Sequence, residues 1–196
     1  MYNPTMTAFE FHFPPMNTRT HEVCGPSAYG FAFALAGRMC RAGAGTVLWV
    51  REAWNGTQLN PLGFAPYLDP QQLLIAQAPS HSDALASAEE ALRSGRIPLV
   101  VMELSQPIGL TEGRRLQLAA QQGGAMGLCI LPEGMGSNAA QTRWHCAPVF
   151  DAKARADSTL QKWEIIKNKT GTLKAWNVKW DAQTCRINVV SEAAQR

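Results

Sequence analysis

The residues most able to do chemistry lie near the start of the chain. Gly25 and Gly30 enclose four residues, between a short apolar run ending at Cys24 and a helix-like stretch over 31–41. A phosphate-binding loop, G-x-x-x-x-G-K-[ST], has this frame: backbone N–H groups wrap the phosphates, Lys supplies counter-charge and Ser/Thr holds magnesium. Here the last two positions are Phe31 and Ala32. A ring cannot neutralise a triphosphate, and a methyl group cannot coordinate a metal. The degenerate loop Gly25, Gly30, Phe31, Ala32 therefore predicts no cofactor, no metal ion and no catalysis. In a chain with 16 glycines, an ordinary glycine turn between strand and helix is the other reading.

Other chemistries find less support. The run from Gly25 to Gly30 is not G-x-S-x-G, because the second glycine comes one residue late, so Ser27 reads as a turn serine. His12, His21, His81 and His145 form no H-x-x-x-H, and adjacent His145 and Cys146 would point to opposite faces of a strand. Five cysteines at unrelated spacings argue against a disulfide framework and for a reducing compartment. Cys129 reads as core. No basic segment followed by an apolar one opens the chain, and no apolar run approaches the ~20 residues of a membrane helix. The expectation is a soluble, cytoplasmic protein with no membrane contact.

The elements that must position these residues alternate regularly. Residues 1–20, with Pro4, Pro14 and Pro15 around Phe9-Glu10-Phe11-His12-Phe13, read as an arm or edge strand. Residues 21–196 read as a single domain, the default for 196 residues at 46% apolar content. The helix over 31–41 ends at Gly43 and Gly45, and a β-branched strand follows over 46–50. Strands at 73–76, 99–103 and 126–131 alternate with a helix capped by Ser82 and stopped by Gly95, and another capped by Thr111 and closed by Gly123-Gly124. This rhythm predicts an α/β domain with a mostly parallel central sheet flanked by helices. Beyond Pro132 the character changes: Trp176, Val178 and Trp180 share one parity, so antiparallel strands extend the sheet at its C-terminal end.

Net charge is only +3, yet residues 143–179 hold eight basic side chains against three acidic ones. A polyanion or acidic partner therefore belongs at the C-terminal end. Arg143, Lys167, Lys169, Trp163 and Trp176 form the candidate partner interface. Lys167 and Lys169 share a strand parity and read as a phosphate contact, an acidic-partner contact or a solvated edge. The tryptophans either stack on bases and anchor a partner, or pack the core.

From His21 to about Val190 the chain resembles RecA. The similar residues include Leu68-Asp69-Pro70-Gln71-Gln72-Leu73-Leu74-Ile75-Ala76-Gln77-Ala78-Pro79, with Glu52 where RecA carries its water-activating glutamate and Glu103 near its metal-side acid. Ile165-Ile166-Lys167-Asn168-Lys169 is similar to a stretch that in RecA reaches nucleotide across a subunit interface. Phe31 and Ala32 depart from the family, as do Pro132-Glu133 at the position of the sensing glutamine and the short segments 105–110 and 133–141 in place of DNA-binding loops. RecA's N-terminal docking helix is missing from the pattern. An active enzyme would need Arg51 or Arg114 to replace the missing lysine.

Two RecA-like families without ATPase activity are closer. The chain resembles ImuA in His21-Glu22-Val23, Phe31-Ala32-Phe33-Ala34-Leu35, Val47-Leu48-Trp49-Val50, Arg114-Arg115-Leu116-Gln117-Leu118-Ala119-Ala120 and Thr142-Arg143-Trp144. It resembles SulA over 91–131, notably Gly124-Ala125-Met126-Gly127 and Leu131-Pro132, but SulA-type chains stop soon afterwards. The ImuA resemblance implies a RecA-like core and a non-catalytic accessory of the SOS response and error-prone translesion synthesis. Its implied partners are ImuB, RecA and an error-prone polymerase, with any DNA contact indirect. The SulA resemblance implies instead a division inhibitor that binds FtsZ.

Overall fold

The computed structural model describes residues 8–40, 45–151 and 158–195. The helix stop expected at Gly43, residues 1–7 of the expected arm, and Lys153 and Arg155 of the basic segment lie outside the described residues.

Among the described residues, nine strands form one sheet. They are β1 (Thr20–Cys24), β2 (Val47–Glu52), β3 (Leu73–Ala78), β4 (Leu99–Glu103), β5 (Met126–Ile130), β6 (Thr142–Pro148), β7 (Gln161–Asn168), β8 (Ala175–Asp181) and β9 (Arg186–Glu192). Their spatial order is β3-β2-β4-β5-β1-β6-β7-β8-β9. The first six run parallel and the last three continue antiparallel. The helices are α1 (Ala28–Cys40), the single turn α2 (Pro61–Phe64), α3 (His81–Ser94) and α4 (Leu110–Gly123). The mixed α/β class with its C-terminal antiparallel extension thus holds.

Strand alternation sends apolar side chains to both faces, as a parallel sheet buried on both sides requires. Trp49, Val101 and Leu128 face α1, together with Trp144, Trp163 and Trp176. Val50, Val100, Met102 and Cys129 face α3 and α4. Local signals explain the helix ends. Ser80 Oγ accepts from Asp83 N, so the cap of α3 is Ser80 and not Ser82, and Gly95 closes the helix at φ 65°. The cap position of α4 is Gly109, without a side-chain hydrogen bond, in place of the expected Thr111.

Three further expectations change. The stretch 9–13 is a turn and not an edge strand: His12 N and Phe13 N both donate to Phe9 O, at 2.8 and 2.9 Å. This coiling puts Phe9 and Phe13 on one side, against Trp163, with Phe9 also on Trp176 and Phe13 on Phe31. Strand β6 runs parallel to β1, so the parallel part of the sheet reaches further along the chain than the sequence pattern suggests. Helix α1 begins at Ala28, three residues earlier than expected.

Candidate functional site

Open α/β sheets present ligands at the carboxyl ends of their strands. In this chain a cleft of about 430 Å³ lies there, lined by the ends of β1, β2, β4 and β5 and the residues that follow them. The degenerate phosphate loop opens onto it.

That loop is closed. Only Gly25, Pro26 and Ser27 separate β1 from α1, so Gly30 is a helix residue. Gly25 sits at φ +91°, and a Cβ there would stand 2.5 Å from Cys146 O. The chain therefore presses against β6 at this point, a fit that only glycine allows. Ser27 N donates to Cys146 O at 3.0 Å and Ala28 N to Gly25 O at 3.1 Å. Two of the N–H groups that would have to cradle a phosphate are thus taken by protein carbonyls. Phe31 is fully buried, its ring 4.8 Å from Trp163, 5.2 Å from Trp144 and 5.5 Å from Phe13. Ala32 is equally buried. Both side chains belong to the core rather than the cleft.

The acid at the end of β4 is occupied as well. Glu103 Oε1 accepts from Arg51 Nη2 at 2.8 Å, Tyr29 Oη at 2.8 Å and Asn55 Nδ2 at 2.6 Å, while Oε2 accepts from Trp49 Nε1 at 3.0 Å. Parallel register places Arg51 directly beside Glu103. The same guanidinium donates to Thr57 O and Thr57 Oγ1, which folds the segment after β2 back over the pair. Burial, then the hydrogen bond to Glu103, hold the Tyr29 phenol above its ordinary pKa. A carboxylate with four donors and a buried counter-ion has little capacity left for a metal. Arg51 is thereby committed, and Arg114 is exposed on α4 away from the cleft lining.

Glu52 differs. It is 3% exposed, lines the cleft and accepts one hydrogen bond, from Ser105 N at 3.2 Å to Oε2. Its Oε1 lies 3.5 Å from His81 Nδ1 and makes no hydrogen bond. Glu133 borders the same cleft and pairs with His145 Nε2 at 2.8 Å. Among the described lining residues there is no Lys or Arg.

The predicted C-terminal interface residues are brought together, but inward. Lys167 Nζ donates to Ser137 O, Asn138 O and Ala140 O at 3.2, 3.0 and 2.7 Å, and Lys169 Nζ to Ala139 O at 2.6 Å. Arg143 donates to Glu22 Oε2 at 2.7 Å and to Ser137 O at 3.0 Å, while Ser137 N donates to the other Glu22 oxygen at 2.7 Å. Burial holds the Lys167 ammonium below its ordinary pKa, against the opposing pull of Glu22. These three cations fasten the segment 133–141 to the sheet. Trp163 and Trp176 are each 1% exposed and belong to the aromatic core, so neither reaches a base or a partner. The parity of Trp176, Val178 and Trp180 marked a strand face on which Trp176 is covered by Phe9 from the turn at 9–13.

The residues that sequence reasoning passed over are Tyr29, Asn55, Ser105 and Glu22 as the partner of Arg143. Each acts through register or a loop return, which no local pattern displays. Cys129 packs in the core with its thiol pushed up by burial, 3.9 Å from Met102 Sδ. Among the described residues, no group of three His, Cys, Asp or Glu could hold a metal ion, and no helix is long and apolar enough to cross a membrane. No family model matches this chain, and no curated protein matches it.

Proposed function

We propose that this chain is a RecA-shaped, non-catalytic accessory protein of the ImuA kind. On this reading it serves SOS-induced error-prone DNA synthesis as a scaffold for ImuB, RecA and an error-prone polymerase. The observation that carries the reading is the closed turn at Gly25–Ser27. Ser27 N and the following Ala28 N are bonded to carbonyls, Phe31 is inserted in the core, and Glu103 is locked to Arg51. A nucleotide would meet a cleft bordered by carboxylates, with no lysine among the described lining residues to receive its phosphates. Strands β7 and β8, which supply Trp163 and Trp176 to the core, favour the ImuA kind over the SulA kind, whose chains end before them.

The test combines turnover with co-purification. Purified protein with magnesium and ATP should release no phosphate above a buffer control, while tagged protein should retain ImuB and RecA from mixed pure components. Hydrolysis abolished by Glu52→Gln would overturn the non-catalytic reading. Inhibition of FtsZ polymerisation would replace the mutagenesis partners with a division target.

A further inference from the structure

We propose that the cleft at the carboxyl ends of β1, β2, β4 and β5 receives a cationic side chain, arginine or lysine, carried by a protein partner. The inference rests on the reading of this chain as an interaction protein and assigns the chemistry of one contact.

Three observations converge on it. First, the cleft's charge has one sign. Glu52, Glu103 and Glu133 line it, and the described lining residues include no Lys or Arg. Glu103 is compensated by Arg51 and Glu133 is hydrogen-bonded to His145, whereas Glu52 has only His81, whose Nδ1 stands 3.5 Å from Oε1 without a hydrogen bond between them. Second, Glu52 is buried with a single hydrogen bond, from Ser105 N, and an oxygen that makes none. A carboxylate withdrawn from water and this poorly served favours any donor that carries positive charge. Third, the walls suit a long side chain with an apolar stem. Pro26, Leu104, Leu131 and Pro132 surround the acids, and Trp54, 67% exposed, stands next to the lining residue Asn55. A lysine or arginine buries its methylenes against such walls while its head reaches the carboxylate. An exposed tryptophan one residue before a lining residue is the kind of anchor that protein interfaces use and free amines do not need.

The experiment is an amide chemical-shift titration of the full ¹⁵N-labelled chain. The probe is acetyl-Gly-Arg-Gly-amide at millimolar concentration, with its citrulline counterpart, putrescine and magnesium ATP as parallel arms. Citrulline keeps the shape and most of the donors of arginine but not its charge. The expected result is a set of shifts on Gly25, Asn55 and Ser105 with the arginine peptide, and binding at least about tenfold weaker with citrulline. Glu52→Gln should weaken the arginine peptide by a similar factor. Because a buried substitution can unfold a protein, Glu133→Gln at the exposed rim is the companion variant, expected to weaken binding by about twofold to fivefold.

Equal affinity for arginine and citrulline peptides, shifts confined to another surface, or indifference to both substitutions would overturn the proposal. Putrescine binding more tightly than the peptide would move the occupant from a partner's side chain to a free amine, and overturn it too. Shifts with ATP at the same amides, or turnover in that sample, would instead strike the non-catalytic reading beneath it, so the two failures are distinguishable.

Discussion

At the scale of single residues, Glu103 illustrates how a side chain in a catalytic-looking position becomes structural. Its carboxylate takes donors from Arg51, Tyr29, Asn55 and Trp49, so removing it strands a buried guanidinium and a buried indole N–H. Glu103→Ala should therefore lower stability by about 3–5 kcal/mol, read as a lower urea midpoint. A loss well below this range would mean that the network is loose and Glu103 is free for other work. His21 makes a second prediction. It is fully buried, with Nε2 facing Met16 O at 2.8 Å and Nδ1 facing Thr142 Oγ1 at 2.7 Å. A carbonyl only accepts, so Nε2 carries the proton and Nδ1 accepts from the threonine hydroxyl. Burial, with Arg19 adding to it against the Met16 hydrogen bond, lowers the imidazole pKa to about 4. The unfolded chain therefore binds this proton first as pH falls. Stability from His21 is complete above pH ~6.5 and drains away toward pH ~4, by roughly 3 kcal/mol. Urea midpoints measured for wild type and His21→Gln should converge across that window; parallel curves would show that His21 is not the group responsible.

At the scale of elements, helix α1 tests how the degenerate loop arose from packing. Restoring the lysine of a phosphate-binding loop, as Phe31→Lys, should not create a nucleotide site. It should place an ammonium among Phe13, Trp144 and Trp163, at a cost of about 3–5 kcal/mol for the lost ring and more for the charge. Circular dichroism and ATP titration on one sample give the answer, and a folded variant that binds ATP would contradict it. This element also marks the limit of what the sequence displays. The strands β2, β4 and β5 were legible because each is a short apolar run, and α3 and α4 because an apolar period ends at a glycine stop. The start of α1 was not: Pro26, Ser27 and Ala28 suit a loop or a first helical turn equally, and contact with Cys146 O of β6 decides between them. Strand β6 was hidden for a related reason. Its Arg143 and His145 carry no apolar period that would mark a buried strand until Glu22 and Glu133 are placed beside them. Lys167 and Lys169 looked like a free basic face because backbone carbonyls 27–30 positions away leave no trace in a local pattern.

At the scale of the whole molecule, the question is whether the antiparallel strands are an appendage or part of the same body. The core on the α1 side answers it. Phe9 and Phe13 from the N-terminal turn, Phe31 from α1, Trp144 from β6, and Trp163 and Trp176 from β7 and β8 form one aromatic cluster with ring centroids 4.8–6.2 Å apart. Two of its members are large indoles that lie beyond residue 148, and they close over side chains from the opposite end of the chain. Removing residues 149–196 would therefore expose Phe9, Phe13, Phe31 and Trp144 together, a patch of the size that drives association. The truncated chain should be insoluble, or should keep far-UV circular dichroism while losing its near-UV signal and binding a hydrophobic dye. An appendage would behave otherwise: residues 1–148 would unfold cooperatively with a smaller urea slope, in proportion to the surface lost. Mapping partner contacts by deleting the C-terminal strands would consequently confound binding with folding. Point substitutions on exposed positions, such as Trp54→Ala, one residue before the cleft residue Asn55, separate the two, since an indole 67% exposed contributes surface and not core.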